Sequence, residues 1–183
     1  MVAETSRFDV VGHLVSLRRY ARSLTRSDID SEDLVQEALL RAYEKRGSYR
    51  EGRQLGPWLL SILHNVFIDR QRSRSAEARR MERVAELQDP HLAPAQDDHM
   101  RLAEVRRAFM ALPEEQRAAL HLVAIEGFTF AEAAVTLEVP IGTLMSRLSR
   151  ARASLRAMEN GGKAGDERRA HLWVVGGSDG SSR

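Results

Sequence analysis

The stretch from Phe130 to Arg156 constrains the fold more than any other, because it places two helices too close in sequence to sit apart. Helical spacing runs from Phe130 to about Leu137 and again from Ile141 to about Met158, with Val139-Pro140 between them. Helices joined this tightly cross at a steep angle and need small side chains where their backbones meet; Ala133 and Ala134 supply them. Leu137, Val139, Leu144 and Leu148 form the shared apolar seam. Pro140 suits the start of the second helix, where a backbone N–H has no partner to lose. The spacing predicts a helix-turn-helix.

The second of these helices has two predicted faces. Leu144, Leu148 and Leu155 point inward, while Thr143, Ser146, Arg147 and Arg150 lie on the opposite side near its start. In a helix-turn-helix that side reaches base edges and phosphates in the major groove. Arg147, Arg150, Arg152 and Arg156 stand in a run that contains no acid. A solvated face of an ordinary bundle also carries charge, but an unopposed run of arginines at this position favours DNA. Only Lys45 and Lys163 are lysines among the 28 Lys and Arg residues. A GC-rich genome accounts for that ratio, though not for where the arginines stand.

The rest of the chain also reads as helix, with few strand signals. Leu14, Leu17, Ala21 and Leu24 form one stripe over Phe8 to Thr25. Leu34, Ala38 and Ala42 repeat at four in a second helix expected from Ser31 to Lys45, with Asp28 to Ser31 as its turn and cap. A polar loop spans Gly47 to Gly56, and Pro57 is expected to open a third helix carrying Trp58, Leu59, Ile62, Leu63, Val66 and Phe67. Six arginines against two glutamates over 70–83 continue it as a basic surface. Five acids, one arginine and two prolines over 86–104 mark a linker. Helical pattern resumes near Met100, restarts at Pro113 and stops at Gly127. The expectation is an all-α protein of two small helical domains joined by a flexible acidic linker, the second a four-helix domain. The expected bounds are 1–84, a linker over 85–99, 100–158, and a disordered glycine-rich tail over 159–183 in which Leu172-Trp173-Val174-Val175 has no assigned role.

A chain of 183 residues, 43% hydrophobic and 30% charged, suits one ordinary domain or two small ones. No apolar run approaches the ~18 residues of a membrane span, so no membrane insertion is expected. Cysteine is absent, which excludes disulfides, thiolate metal sites and a cysteine nucleophile, and fits a reducing cytoplasm. No phosphate loop or nucleophile–base constellation stands out, so neither enzyme activity nor a cofactor is expected. His64 has no carboxylate or histidine at ligand spacing, and no metal is expected there.

Leu112-Pro-Glu-Glu-Gln-Arg, Gly127-Phe-Thr-Phe-Ala-Glu-Ala-Ala and Val139-Pro-Ile-Gly-Thr-Leu-Met-Ser-Arg-Leu-Ser-Arg-Ala-Arg follow one another over about 100–157. In order and spacing they resemble the C-terminal promoter-reading domain of extracytoplasmic-function sigma factors. The resemblance implies that Thr143, Ser146, Arg147, Arg150 and Arg152 contact the −35 element. Two residues depart from the pattern. Glu138 stands where glycine is usual, and a non-glycine residue at positive φ costs roughly 1 kcal/mol unless the turn is shaped differently. Met145 stands where the family is often basic, so no basic contact is carried to it.

Asp33-Leu-Val-Gln-Glu-Ala-Leu-Leu-Arg-Ala-Tyr and Trp58-Leu-Leu-Ser-Ile-Leu-His-Asn-Val-Phe-Ile-Asp-Arg-Gln-Arg resemble the first domain of the same family, along 8–83. That resemblance implies that Asp33, Gln36, Glu37 and Arg41 face a coiled coil of the polymerase β′ subunit, with the β flap as a further contact of core polymerase. It also implies a −10 site made of Ser48, Tyr49 and Arg50 in the loop and His64, Asn65, Asp69 and Arg72 on the third helix, where polar groups hold an unstacked base. Tyr49 has two readings, a stack on a base or closure of the core beneath the loop; Trp58 reads as core. The implied partners are RNA polymerase core, promoter DNA and an anti-sigma protein, and the two domains are similar to the alphaproteobacterial general-stress subgroup. Three rivals remain. A dimeric repressor leaves the first domain without a role, a sigma-like decoy needs no arginines from Arg147 to Arg156, and an enzyme is the weakest.

Overall fold

Local signals account for most helix boundaries in the computed structural model, which describes residues 8–49, 54–81 and 100–170. The linker over 85–99, Arg50 and Leu172 to Val175 lie outside the described residues. A 3-10 turn at Val11–His13 leads into α1 (Leu14–Leu24), and a second lies at Arg46–Ser48. There follow α2 (Asp28–Glu44), α3 (Leu55–Met81), α4 (Met100–Ala111), α5 (Glu114–Ala124), α6 (Phe130–Thr136) and α7 (Ile141–Ala170), with no strand among the described residues.

Three boundaries differ from the sequence expectation. Helix α2 starts before Ser31, because Ser27 is extended and its hydroxyl accepts the Asp30 N–H at 3.3 Å. Ser31 is instead buried inside the helix and donates to the Asp28 carbonyl at 2.7 Å. Helix α3 starts at Leu55, so Pro57 falls within the first turn, where its missing N–H costs nothing. Helix α7 continues past Met158 to Ala170, into the segment expected to be a disordered tail. Each glycine there costs about 1 kcal/mol relative to alanine, but glycine keeps its N–H, and no proline interrupts the ladder.

Both ends of α6 are closed by local hydrogen bonds. Thr129 and Glu132 form a reciprocal capping box at the start of α6. At its end, the Val139 N–H reaches back to the Ala134 carbonyl at 3.0 Å, closing the chain with Glu138 at φ 52°. Glu138 thus adopts the left-handed conformation that glycine usually supplies, and accepts the steric cost of its Cβ.

Helices α1–α3 and α4–α7 form two units, but they do not stand apart. Leu17, Tyr20, Leu34, Leu59, Leu63 and Val66 belong to the same continuous core as Leu122, Ala133, Leu144 and Leu148. The reason lies in α1, where Leu17, Tyr20, Ala21, Ser23 and Leu24 are all buried. That arc is wider than packing on α2 and α3 requires, and its remainder covers α5.

Two polar hubs seal the junction. The Arg117 guanidinium, only 3% exposed, donates to the carbonyls of Ser23, Leu24 (3.0 Å), Leu112 (2.8 Å) and Met110 (3.2 Å). Ser23 and Leu24 end α1, so their carbonyls have no donor within the helix; Arg117 caps them from the other unit. The Glu126 carboxylate, in turn, gathers the Ser16 hydroxyl, Arg19 (2.8 Å) and His121 (3.1 Å). Burial holds the Tyr20 hydroxyl protonated; it pairs with His64 Nδ1 at 3.1 Å while its ring lies 5.1 Å from that of His121.

Candidate nucleic-acid and polymerase interfaces

Helix α7 carries its polar candidates on the side away from the Leu144, Leu148 and Ala151 core. Thr143, Arg150 and Arg152 are exposed, and Ser146 and Arg147 are half-buried. Arg150 donates to the Ser146 hydroxyl at 2.6 Å, which pre-orients both on one surface. Met145 is 52% exposed beside them, so an apolar side chain does occupy the position where a basic residue was to be expected. Arg147 sits on the flank of the helix that faces α3, close enough to His64 for its charge to help lower that histidine's pKa.

The candidates on α3 and its preceding loop are scattered by the fold. His64 is a correction to the sequence reading: it is buried rather than displayed, because it lies among Leu63, Val66 and Tyr20 at the junction of the two units. Desolvation lowers its pKa to about 4, with the Arg147 charge contributing, so it is neutral at physiological pH. Asn65 is half-buried, and its amide donates to Glu138 Oε1 at 2.8 Å. Asp69 is exposed but paired with Arg41 at 2.9 Å. Arg72 is exposed. In the loop, Ser48 is exposed and donates to the Lys45 carbonyl at 2.7 Å. Tyr49 packs against Trp58 (5.3 Å between ring centres) and Phe8 (6.3 Å), which favours the second of its two readings, closure of the core. Arg50 falls outside the described residues.

The four candidates on α2 divide into two pairs. Asp33 and Gln36 are exposed. Glu37 and Arg41 are half-buried and tied to α3, Glu37 to Arg70 at 2.7 Å and Arg41 to Asp69. These pairs fix α2 against α3 and leave an outward stripe of Asp33, Gln36, Leu40 and Tyr43. Leu40 is 60% and Tyr43 59% exposed, with the Arg46 guanidinium 4.1 Å over the tyrosine ring. The sequence reading missed these two apolar residues. They stand four and seven positions after Gln36, off the Leu34, Ala38, Ala42 stripe, and that offset was the available signal.

A groove of about 520 Å³ runs between the units, lined by Leu34, Phe67, Arg70, Arg74, Pro113 and Glu114 among others. Gln71 bridges its rim to Glu114. Among the described residues no cluster of histidine and carboxylate groups could hold a metal, and no helix is long and apolar enough to cross a membrane.

Residues 10–77 match Sigma-70 region 2, and residues 102–155 match Sigma-70 region 4. The chain is 36% identical over 163 residues to the ECF RNA polymerase sigma factor EcfG of Rhodopseudomonas palustris, covering 86% of each chain. The chain belongs to the ECF RNA polymerase sigma factors. It is also 37% identical over 144 residues to SigM of Mycobacterium tuberculosis, across 78% of this chain and 71% of that one. Two solved structures share its fold. Bartonella quintana RpoE, crystallised with the anti-sigma factor NepR, matches at 32% identity and a TM-score of 0.73 over 86% of this chain and 98% of that one. CnrH in complex with the cytosolic domain of CnrY matches at 25% identity and a TM-score of 0.61, over 87% and 91%. Like its relatives, this sigma factor is a DNA-binding regulator of transcription, and its two matched regions are the two helical units described above.

Proposed function

We propose that the chain directs core RNA polymerase to a defined set of promoters, with α7 reading the −35 element and α3 with its preceding loop acting on the −10 element. The observation that carries this is the outward face of α7: Thr143, Arg150 and Arg152 are exposed at the start of a helix whose opposite side is core, and Arg150 is already oriented by Ser146. Asp33, Gln36, Leu40 and Tyr43 form the polymerase-facing stripe, where exposed apolar and polar groups alternate as in a protein interface. The protein acts by binding rather than catalysis, needs no cofactor, and works in the cytoplasm alongside polymerase. An anti-sigma protein, such as the NepR that accompanies Bartonella quintana RpoE, is the expected restraint, and the groove between the units suits a partner that touches both. Resemblance to EcfG and to the NepR-bound factor favours the general-stress subgroup.

Runoff transcription with core polymerase on a promoter pool tests the reading. Core-dependent, sequence-selective transcripts are expected; none, with a core that responds to another sigma factor, would favour the decoy over the initiator. The geometry adds a requirement. By their names the −35 and −10 elements lie about 25 base pairs apart, or ~85 Å of duplex at ~3.4 Å per pair. Asn65 and Glu138, one on each DNA-facing unit, touch. The docked arrangement is therefore the resting form, and promoter engagement requires the units to separate.

A further inference from the structure

Glu138 is the only non-glycine residue among those described that holds a positive φ, and its side chain crosses to the other unit. Four groups from the two candidate DNA faces converge there. Asn65 and His64 come from α3, Glu138 from the turn of the helix-turn-helix, and Arg147 from the recognition helix. The Asn65 amide donates to Glu138 Oε1 at 2.8 Å. Glu138 and Arg147 both act on the charge of His64, with opposite signs, which places all of them in one electrostatic neighbourhood.

The position explains why strain is tolerated. A glycine at residue 138 would close α6 equally well and avoid the cost of a Cβ at φ 52°. It would have no side chain to reach Asn65. Because the left-handed conformation reverses the chain direction, it aims the side chain out of the turn and toward α3. The carboxylate there engages one residue of the −10 candidates, and it and the −35 residue Arg147 both act on His64. A phosphate would present the same negative charge to both.

We propose that Glu138 is an interdomain latch, holding the −35 reader of the resting sigma factor against its −10 helix through Asn65. The latch rests on the assignment of the two DNA faces made above, but its mechanical part does not. One exposed amide–carboxylate bond is a weak restraint, so it tunes the resting equilibrium rather than locking it.

The chain has no cysteine, so a spin-label pair introduced at Ser75→Cys on α3 and Ala157→Cys on α7 reports the separation without interference. Both positions are exposed. In the full chain, Glu138→Gly and Asn65→Ala should each raise the ratio of separated to docked forms by roughly three- to tenfold, as expected for one lost hydrogen bond. The double variant should go no further than either alone. Glycine suits the backbone at 138, so folding of the turn is kept. Glu138→Gln, which retains an acceptor of the same reach, should stay docked. Unchanged distances in either single variant, or effects that multiply in the double, overturn the latch. Binding of the free chain to a −35 duplex, measured in parallel, should rise by the same factor. Separation without tighter duplex binding would uphold the latch and sink the assignment of α7 as the reader.

Discussion

Replacing Arg117 with methionine isolates what holds the two units together. Methionine keeps much of the stem and its apolar contacts but removes all the donors. The four carbonyls that now accept from the guanidinium stay where they are: Ser23 and Leu24 at the end of α1, Met110 and Leu112 in the other unit. A hydrogen bond to a charged donor contributes about 1.5–3 kcal/mol, and a buried acceptor left unmatched costs ~1–3 kcal/mol. These figures do not add. Desolvation already lowers the Arg117 pKa, so removing the charge recovers part of what its burial cost. A net loss of about 3 kcal/mol is expected, and at ~2–4 °C per kcal/mol for a chain of this size Tm should fall by roughly 6–12 °C. Circular dichroism on the full chain measures the shift. Arg117→Lys should fall between, because an ammonium offers a point charge in place of a planar fork. A methionine variant that melts within ~1 °C of the parent, or a lysine variant indistinguishable from it, would refute the assignment of Arg117 as the interdomain cap.

Two further outcomes follow from the same geometry. Burial holds both His64 and His121 at a pKa of about 4, below the ordinary value of 6.5. The unfolded chain therefore binds more protons between those values, and stability falls as pH drops through that window, by ~2 kcal/mol per histidine at pH 5. Urea unfolding at pH 7 and pH 5 should show the loss, and His121→Gln should remove about half of it. On the recognition helix, Arg150→Ala should weaken −35 duplex binding by ~1–3 kcal/mol if Arg150 reads a base, and relax preference at one base position. A uniform loss across sequences with a shallower salt slope would instead make it a phosphate contact.

The helices were legible in the sequence because each carries its own periodicity and punctuation: the Leu34, Ala38, Ala42 repeat, Pro113 before α5, and Gly127 at φ 72° after it. The helix-turn-helix was legible for the same reason, since Ala133 and Ala134 meet α7 within a few residues of chain. The docking of the two units was not. It depends on partners such as Arg117 with Ser23 and Leu24, or Glu126 with Ser16 and Arg19, that lie some hundred residues apart. No local pattern encodes that pairing. His64 was misplaced for this reason: its burial depends on where Tyr20 of α1 and the second unit, which meets α3 through α6, come to lie. Glu138 was the exception. As a residue in a glycine position it was visible as an anomaly, and the contact with Asn65 gives that anomaly a physical reason.

The resting arrangement also orders the two engagements. Asp33, Gln36, Leu40 and Tyr43 face outward while the units are docked, whereas Asn65 and Arg147 are drawn into the junction. Polymerase can therefore reach α2 without any change in the sigma factor, and DNA cannot reach both of its faces without one. The Arg117 and Glu126 hubs make that change costly for the free chain, which must surrender several buried bonds before gaining a phosphate contact. Core polymerase, by contacting both units at separate places, can repay the cost. On the proposed assignment, polymerase binding comes first and promoter binding second, and a weakened junction should make the free chain bind DNA in advance of polymerase. The Arg117→Met variant provides the check: −35 duplex binding without core should strengthen in it, and duplex binding that stays at the parent level in a folded, separated variant would break this order of events.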